Sequence, residues 1–294
     1  MLKKAAPNVV LDLNHSPAAD LLPGLLADLG FEVTELNSHV HEKAMDMSTY
    51  ELEAALDRLS RIVKTLEADA GFWIGPSGEK IRVVSGAGHI FSNREAISVL
   101  TVLVCTAENE GRLVVPVAAP QAVDALAKAE GLTVERTRSD GCSLVDAARN
   151  RQVRFVASMD DRFGFPKFQP NFDGLFATAK IMELTVRAEL SLDKAFATLP
   201  RNHYHHLELS CPWESKGGLM RRMSEYAVDQ QASFTDGVRI DTEQGWVLVL
   251  PDQHRPIAHI YVEATAEEAA NKLRELYRGK VSGWLAELAD ANPS

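Results

Sequence analysis

The chain is poor in cysteine, in positive charge and in long apolar runs, and each shortage excludes something. Only Cys105, Cys142 and Cys211 are present in 294 residues, far apart and without C-x-x-C spacing. That is no disulfide framework, and reduced thiols of a cytoplasmic protein are the expectation. No run of about 18 apolar residues occurs, so no membrane span is expected. The opening MLKKAAPNVVLDLNHS has two lysines but no long apolar region behind them, which argues against a secretory signal. Lys plus Arg number 31 against 41 for Asp plus Glu, a net charge of -10. An acidic surface disfavours nucleic acid and anionic membranes, and any phosphate site would need its own local basic residues. G-x-S-x-G, a P-loop and a complete dinucleotide fingerprint are also missing; Gly86-Ala87-Gly88 lacks the third glycine.

What is there alternates between strand and helix, which argues for an α/β fold. Val9–Leu13 reads as a buried strand. Ser16-Pro17 reads as an N-cap and first helical residue of a helix through Leu26 that stops at Gly30. Phe31–Leu36 is the next strand, and Ser48-Thr49-Tyr50-Glu51 opens a helix to about Leu66 as a capping box. Phe72–Ile74 and Ile81–Val84 flank Gly75-Pro76-Ser77-Gly78 as a hairpin, and a helix from Asn93 to about Asn109 follows. A second unit repeats this grammar, with strands near 113–117, 132–136 and 153–157 and helices over 120–130, 144–149 and 175–188. The third part differs: a strand over His203–Leu209, a helix over about 216–229, strands at 238–240, 246–249 and 259–263, and a closing helix from about 266 to 288.

Four stretches carry a resemblance. Ala68-Asp69-Ala70-Gly71-Phe72-Trp73 precedes the first hairpin. Phe155–Phe165 has the length of an F-G-G-E-x-S-G-H-x-x-F loop, and Asp173-Gly174 lies beyond it. Asp236-Gly237-Val238 and Trp246–Val249 come later, and Leu250–Pro256 runs into Ala258-His259-Ile260-Tyr261-Val262-Glu263-Ala264. This order resembles domains two to four of the α-D-phosphohexomutases, the phosphomannomutase and phosphoglucomutase superfamily. The resemblance implies two similar α/β/α mixed-sheet domains over 1–110 and 111–200 and a smaller α+β domain over 201–294. It also implies intramolecular phosphoryl transfer, which needs a phosphoserine, a magnesium ion and phosphate-gripping loops.

The frame of those loops is kept while the chemistry departs from the family. The three magnesium-holding aspartates fall on Gly75, Ser77 and Glu79, and the following Arg on Lys80. One carboxylate of three is a poor site for a hard cation. In the sugar loop the Glu, Ser, Gly and His of the family become Ser158, Asp160, Asp161 and Arg162. The phosphate loop holds Leu250, Asp252, Gln253 and His254 where the family has Arg, Ser, Gly and Thr. The phosphoserine domain has no counterpart, since Asn14-His15-Ser16-Pro17 reads as a helix start. The expectation is a catalytically inactive module without catalytic residue, cofactor or metal. It would serve an assembly or regulatory role in nucleotide-sugar synthesis of the GDP-mannose type. The alternatives are a non-catalytic sugar-phosphate or nucleotide-sugar sensor, and a mutase completed by another chain. Similar modules occur fused behind mannose-1-phosphate guanylyltransferase-type enzymes, so a nucleotidyltransferase domain or chain is the expected partner; a homo-oligomer fits equally. Any surviving anion site is expected on Arg162, Lys167, His254 and Arg255. His203-Tyr204-His205-His206 puts His203 and His205 on one strand face, with no identifiable third ligand for a metal. His39-Val40-His41 reads the same way.

Overall fold

A computed structural model describes residues 1–291 and divides the chain into two compact units, Met1–Leu199 and Pro200–Ser294. The first unit begins with α1 (Leu2–Ala5), β1 (Asn8–Asp12), a 3-10 turn (Pro17–Asp20), α2 (Leu22–Asp28) and β2 (Glu32–Leu36). It continues with α3 (Glu42–Met45), α4 (Thr49–Thr65), β3 (Ala70–Ile74), β4 (Ile81–Ser85) and α5 (Asn93–Ala107). Its later half holds β5 (Arg112–Pro116), α6 (Ala122–Ala129), β6 (Thr133–Thr137), α7 (Gly141–Ala148), β7 (Val153–Ala157), β8 (Phe163–Gly164), α8 (Gly174–Ala188) and α9 (Leu192–Ala197).

Two four-stranded sheets result, ordered β2-β1-β3-β4 and β6-β5-β7-β8. In each, the first three strands are parallel and the last is antiparallel to its neighbour. The repeat in sequence grammar is therefore a repeat in topology. The central strands are apolar on both faces, as parallel strands covered by helices must be. Val9, Val10, Leu11, Leu113, Val114 and Val115 are fully buried. One apolar cluster runs through both sheets and includes Ile97, Leu100 and Val104 of α5, Ile181 and Leu184 of α8 and Leu192 of α9. Helix α5 is buried along ten consecutive residues, Ala96–Cys105, so its apolar surface meets protein all round.

Capping chemistry starts the helices where the sequence places Ser and Asp. Ser48–Glu51 and Ser92–Glu95 form complete capping boxes at α4 and α5. The stretch after β1 departs from expectation. Ser16 makes no capping bond, and the expected single helix is a 3-10 turn followed by α2. Pro23 has no N–H to give to Ala19, so an unbroken α-helix cannot run through it, and the chain restarts at Leu21. Helix α7 starts earlier than the periodicity suggests, because Asp140 accepts from the Ser143 N–H and adds a turn.

The second unit holds β9 (His203–Ser210), α10 (Trp213–Ala227), β10 (Ala232–Ser233), β11 (Val238–Thr242), β12 (Gly245–Pro251), β13 (Ile257–Ala264) and α11 (Glu267–Ala291). Its sheet is antiparallel throughout, ordered β10-β11-β12-β13-β9, so β9 is an edge strand. Helices α10 and α11 cover one face, where Leu219, Met223, Tyr277 and Val281 pack on Val247, Val249, Ile260 and Val262. Among the described residues no helix is long and apolar enough to cross a membrane.

Candidate functional site

The β3–β4 hairpin projects the first group of expected site residues. Its register pairs Ile74 with Ile81, leaving residues 75–80 as the tip. The Gly75 N–H donates to the Lys80 carbonyl at 2.9 Å and the Gly78 N–H to the Gly75 carbonyl at 2.9 Å, which closes the turn. Gly75 is buried, and a Cβ on it would lie 3.1 Å from the Lys80 Cβ. A ligand side chain at 75 would thus press on the opposite arm. Ser77 and Glu79 are exposed. Magnesium does not fit this tip, since its one carboxylate lies 3.8 Å from the Arg162 guanidinium.

The sugar-loop positions come to the same place. Lys80 and Arg162 form an antiparallel bridge, and the Ile81 N–H donates to the Asp161 carbonyl at 2.9 Å. The Gly174 N–H donates to the Gly78 carbonyl at 2.8 Å, pinning the head of α8 to the tip. Inside the loop the buried Ser158 hydroxyl donates to the Asp160 carboxylate and accepts from the N–H groups of Asp160 and Arg162. Asp160 also accepts from Arg162 Nε at 2.9 Å and lies 3.3 Å from Lys80. The Arg162 guanidinium stands 5.0 Å over the Phe172 ring. Burial pushes the Asp160 carboxyl up, but the Ser158 and Arg162 hydrogen bonds and both cations outweigh it and hold the group below its ordinary value. Asp161 goes the other way, because its burial exceeds the pull of Arg82 and Asn93. With Arg82, which lies 3.7 Å from Asp161, the residues Glu79, Lys80, Ser158, Asp160, Asp161 and Arg162 thus form one self-neutralising cluster. Lys167 lies further along the same loop and is exposed.

Beside the cluster opens a cleft of about 820 Å³. Its walls carry the carboxylates of Glu79, Asp140, Asp146 and Asp173 against the guanidiniums of Arg149 and Arg162. Arg149 is paired with Asp146 at 3.3 Å. Exposed Cys142 also faces the cleft, whereas Cys105 and Cys211 are buried.

The second unit organises the remaining residues around Asp252. Its carboxylate accepts from the His254 N–H at 2.7 Å, the Arg255 N–H at 2.8 Å and His259 Nε2 at 2.9 Å, and it pairs with the Arg255 guanidinium at 3.1 Å. Burial acts to raise this carboxyl, yet those hydrogen bonds hold it well below the usual range. Arg255 also grips Glu208 at 2.9 Å, and Lys216 Nζ donates to the carbonyls of Asp252 and Arg255. The His254 side chain is exposed. Asp252, which stands where the resembled family has a serine, is the hub of the turn. On the strand face opposite His203 and His205, His206 lies close to Glu208 and His259.

No protein-family model matches the chain. It is 26% identical over 271 residues to a protein of Methanopyrus kandleri named "Probable phosphoglucosamine mutase", covering 91% of this chain and 60% of that one. It is likewise 26% identical over 277 residues to the phosphoglucomutase/phosphomannomutase of Thermococcus kodakarensis, covering 94% and 60%. Among solved structures, a phosphoglucomutase/phosphomannomutase family protein of Burkholderia thailandensis superimposes with a TM-score of 0.79 at 18% identity, over 95% of this chain and 60% of that one. The N-acetylphosphoglucosamine mutase of Aspergillus fumigatus, solved with GlcNAc-6P and magnesium, gives 0.63 at 12% identity over 95% and 65%. The sequence relatives are named phosphoglucosamine mutase or phosphoglucomutase/phosphomannomutase, and one structural neighbour, an N-acetylglucosamine-phosphate mutase, is a member of the α-D-phosphohexomutase superfamily; this chain is similar to a part of each. It spans about 60% of the length of the curated relatives it matches.

Proposed function

We propose that this chain is a phosphohexomutase-like module of carbohydrate metabolism that performs no phosphoryl transfer and acts in assembly or regulation. The observation that carries the reading is the closure of the two loops on each other. Glu79, Lys80, Asp160 and Arg162 spend their charges in mutual pairs, with Ser158 buried beneath them. Phosphoryl transfer depends on positioned cations that stabilise the charge of the transferring group. Here the tip provides one carboxylate for a metal, and that carboxylate faces an arginine. A nucleotidyltransferase of the mannose-1-phosphate guanylyltransferase type is the proposed partner, and GDP-mannose-type nucleotide-sugar synthesis the proposed setting.

A coupled assay with mannose and glucose phosphates, a bisphosphate activator and magnesium tests the catalytic half. Background rates are expected. Turnover of about 1 per second or faster, the ordinary enzyme range, would overturn it. Size-exclusion chromatography with the guanylyltransferase tests the assembly half: co-elution supports it, and independent elution at about 10 µM, the affinity scale of transient complexes, removes it.

The competing reading is a sugar-phosphate sensor that draws on Arg162, Lys167, His254 and Arg255. Arg162 and Arg255 are each already engaged by two carboxylates, and the cleft walls carry more acid than base. Calorimetry with mannose-1-phosphate, glucose-6-phosphate and GDP-mannose is expected to give weak heats or none. Micromolar binding lost in Arg255→Ala would favour the sensor.

A further inference from the structure

The face of the second unit's sheet opposite α10 and α11 carries a cluster that no mutase reading uses. Strands β9 and β13 are antiparallel neighbours with His259 opposite Glu208 and Tyr261 opposite His206. Side chains at 206, 208, 259 and 261 therefore stand on one face, and His206 and His259 are diagonal neighbours within reach of each other. His206 Nε2 lies 2.9 Å from His259 Nδ1, and Glu208 Oε1 lies 3.7 Å from the same Nδ1. One ligand atom from each of the three residues falls within 4.8 Å of the others.

The surroundings prepare His259 as a ligand. Its Nε2 donates to Asp252 at 2.9 Å, which puts the proton on that nitrogen and leaves the Nδ1 lone pair turned toward His206 and Glu208. A carboxylate behind an imidazole in this way fixes ring and tautomer in metal sites. Asp252 is itself held by the N–H groups of His254 and Arg255. The Tyr261 ring stacks on His206 at 4.5 Å and 7°, which sets the plane of that imidazole. Two nitrogens and a carboxylate oxygen are a borderline donor set, suited to zinc and its neighbours and unlike the all-oxygen shell that magnesium takes.

We propose that His206, Glu208 and His259 bind a divalent transition-metal ion of the zinc class, with Asp252 as the positioning residue behind His259 and water completing a tetrahedron. Tetrahedral bonds of about 2.0 Å put ligand nitrogens about 3.3 Å apart, so the two rings need part by only a few tenths of an ångström. Glu208 must exchange Arg255 for the ion, and an exposed pair of this kind is weak. His206 and Glu208 are both exposed, which gives the ion a path in.

The test uses the full chain without an affinity tag, stripped with a chelator, titrated with zinc in a calorimeter and with cobalt(II) in a spectrometer. One equivalent is expected to bind at about 1 µM or tighter, with the intense visible bands of four-coordinate cobalt(II). His206→Gln and Glu208→Gln, both at exposed positions, are expected to weaken zinc at least about tenfold while far-ultraviolet circular dichroism stays unchanged. Asp252→Asn is expected to weaken it by about 10–100-fold. The double variant His203→Gln, His205→Gln is expected to bind as the parent does. Several weak equivalents in place of one, full affinity in His206→Gln, or loss of binding in the His203, His205 double variant would each overturn the assignment.

Discussion

Adjacent residues of one loop carry charges that the fold treats in opposite ways. Asp160 receives two hydrogen bonds and two cations, so its charged form is favoured in the folded state. Asp161 is more deeply buried and its neutral form is favoured. A depressed carboxyl contributes stability above the ordinary carboxylate value, about 3.9, and loses it as pH falls toward the folded value. A raised carboxyl does the reverse: stability is lost as pH rises from about 3.9 through the folded value. Chemical denaturation at about pH 2.5 and pH 7, on either side of the ordinary carboxylate value, checks both signs. Relative to the parent, Asp160→Asn should lose stability between those two values and Asp161→Asn should gain it. Each change should be on the order of 1 kcal/mol or less, because solvent reaches the loop. Asn is a suitable replacement at 161, whose φ is 66°, since Asn tolerates the left-handed region. If both variants move in the same direction, the contrast drawn between the two carboxyls fails.

At the scale of elements, the hairpin tip is held by the head of α8, and Gly174 is the point of closest approach. A Cβ there would lie 2.6 Å from the Gly78 carbonyl oxygen and 2.7 Å from Ile81 Cγ2. Gly174→Ala should therefore cost about 1–3 kcal/mol and lower the melting temperature. A neutral effect would mean that tip and helix are not locked. Ser92→Ala removes half of a capping box and should cost about 1 kcal/mol. Such elements are legible in sequence because the chemistry is local: Ser48 and Glu51 announce their helix, and Gly75-Pro76-Ser77-Gly78 announces its turn. The stretch after β1 is less legible. Ser16-Pro17 has the letters of a helix start, but a second proline at 23 competes and splits the helix. The cap at Asp140 is not legible, because the apolar periodicity of α7 becomes clear only at Leu144.

At the scale of the molecule, the three sheets were readable because strands and helices alternate in a fixed grammar, and the resemblance placed the tip at 75–80 and the sugar loop at 158–162 each on its own family motif. The pairing of Lys80 with Arg162 was not readable, since it joins residues far apart in sequence. The same holds for His259 and Glu208, whose meeting depends on the register of an edge strand against β13. That is why no third ligand could be identified beside the histidines of β9 from the sequence. Magnesium offers a further check on the first unit. A cation stabilises a fold only if the native state binds it. Low-millimolar magnesium should leave the melting temperature unchanged. A rise of several degrees, abolished by Glu79→Ala, would restore a metal role to the tip.

The distribution of sulfur makes this protein easy to watch. Burial pushes the Cys105 thiol up to about 12 and raises Cys211 as well. Thiolate is the reactive form, so both should ignore a maleimide dye at neutral pH. Cys142 stands alone in the open, on the wall of the cleft. A single fluorophore can therefore be attached there without any engineering, and its emission would report directly when a molecule enters the cleft or a second protein covers it.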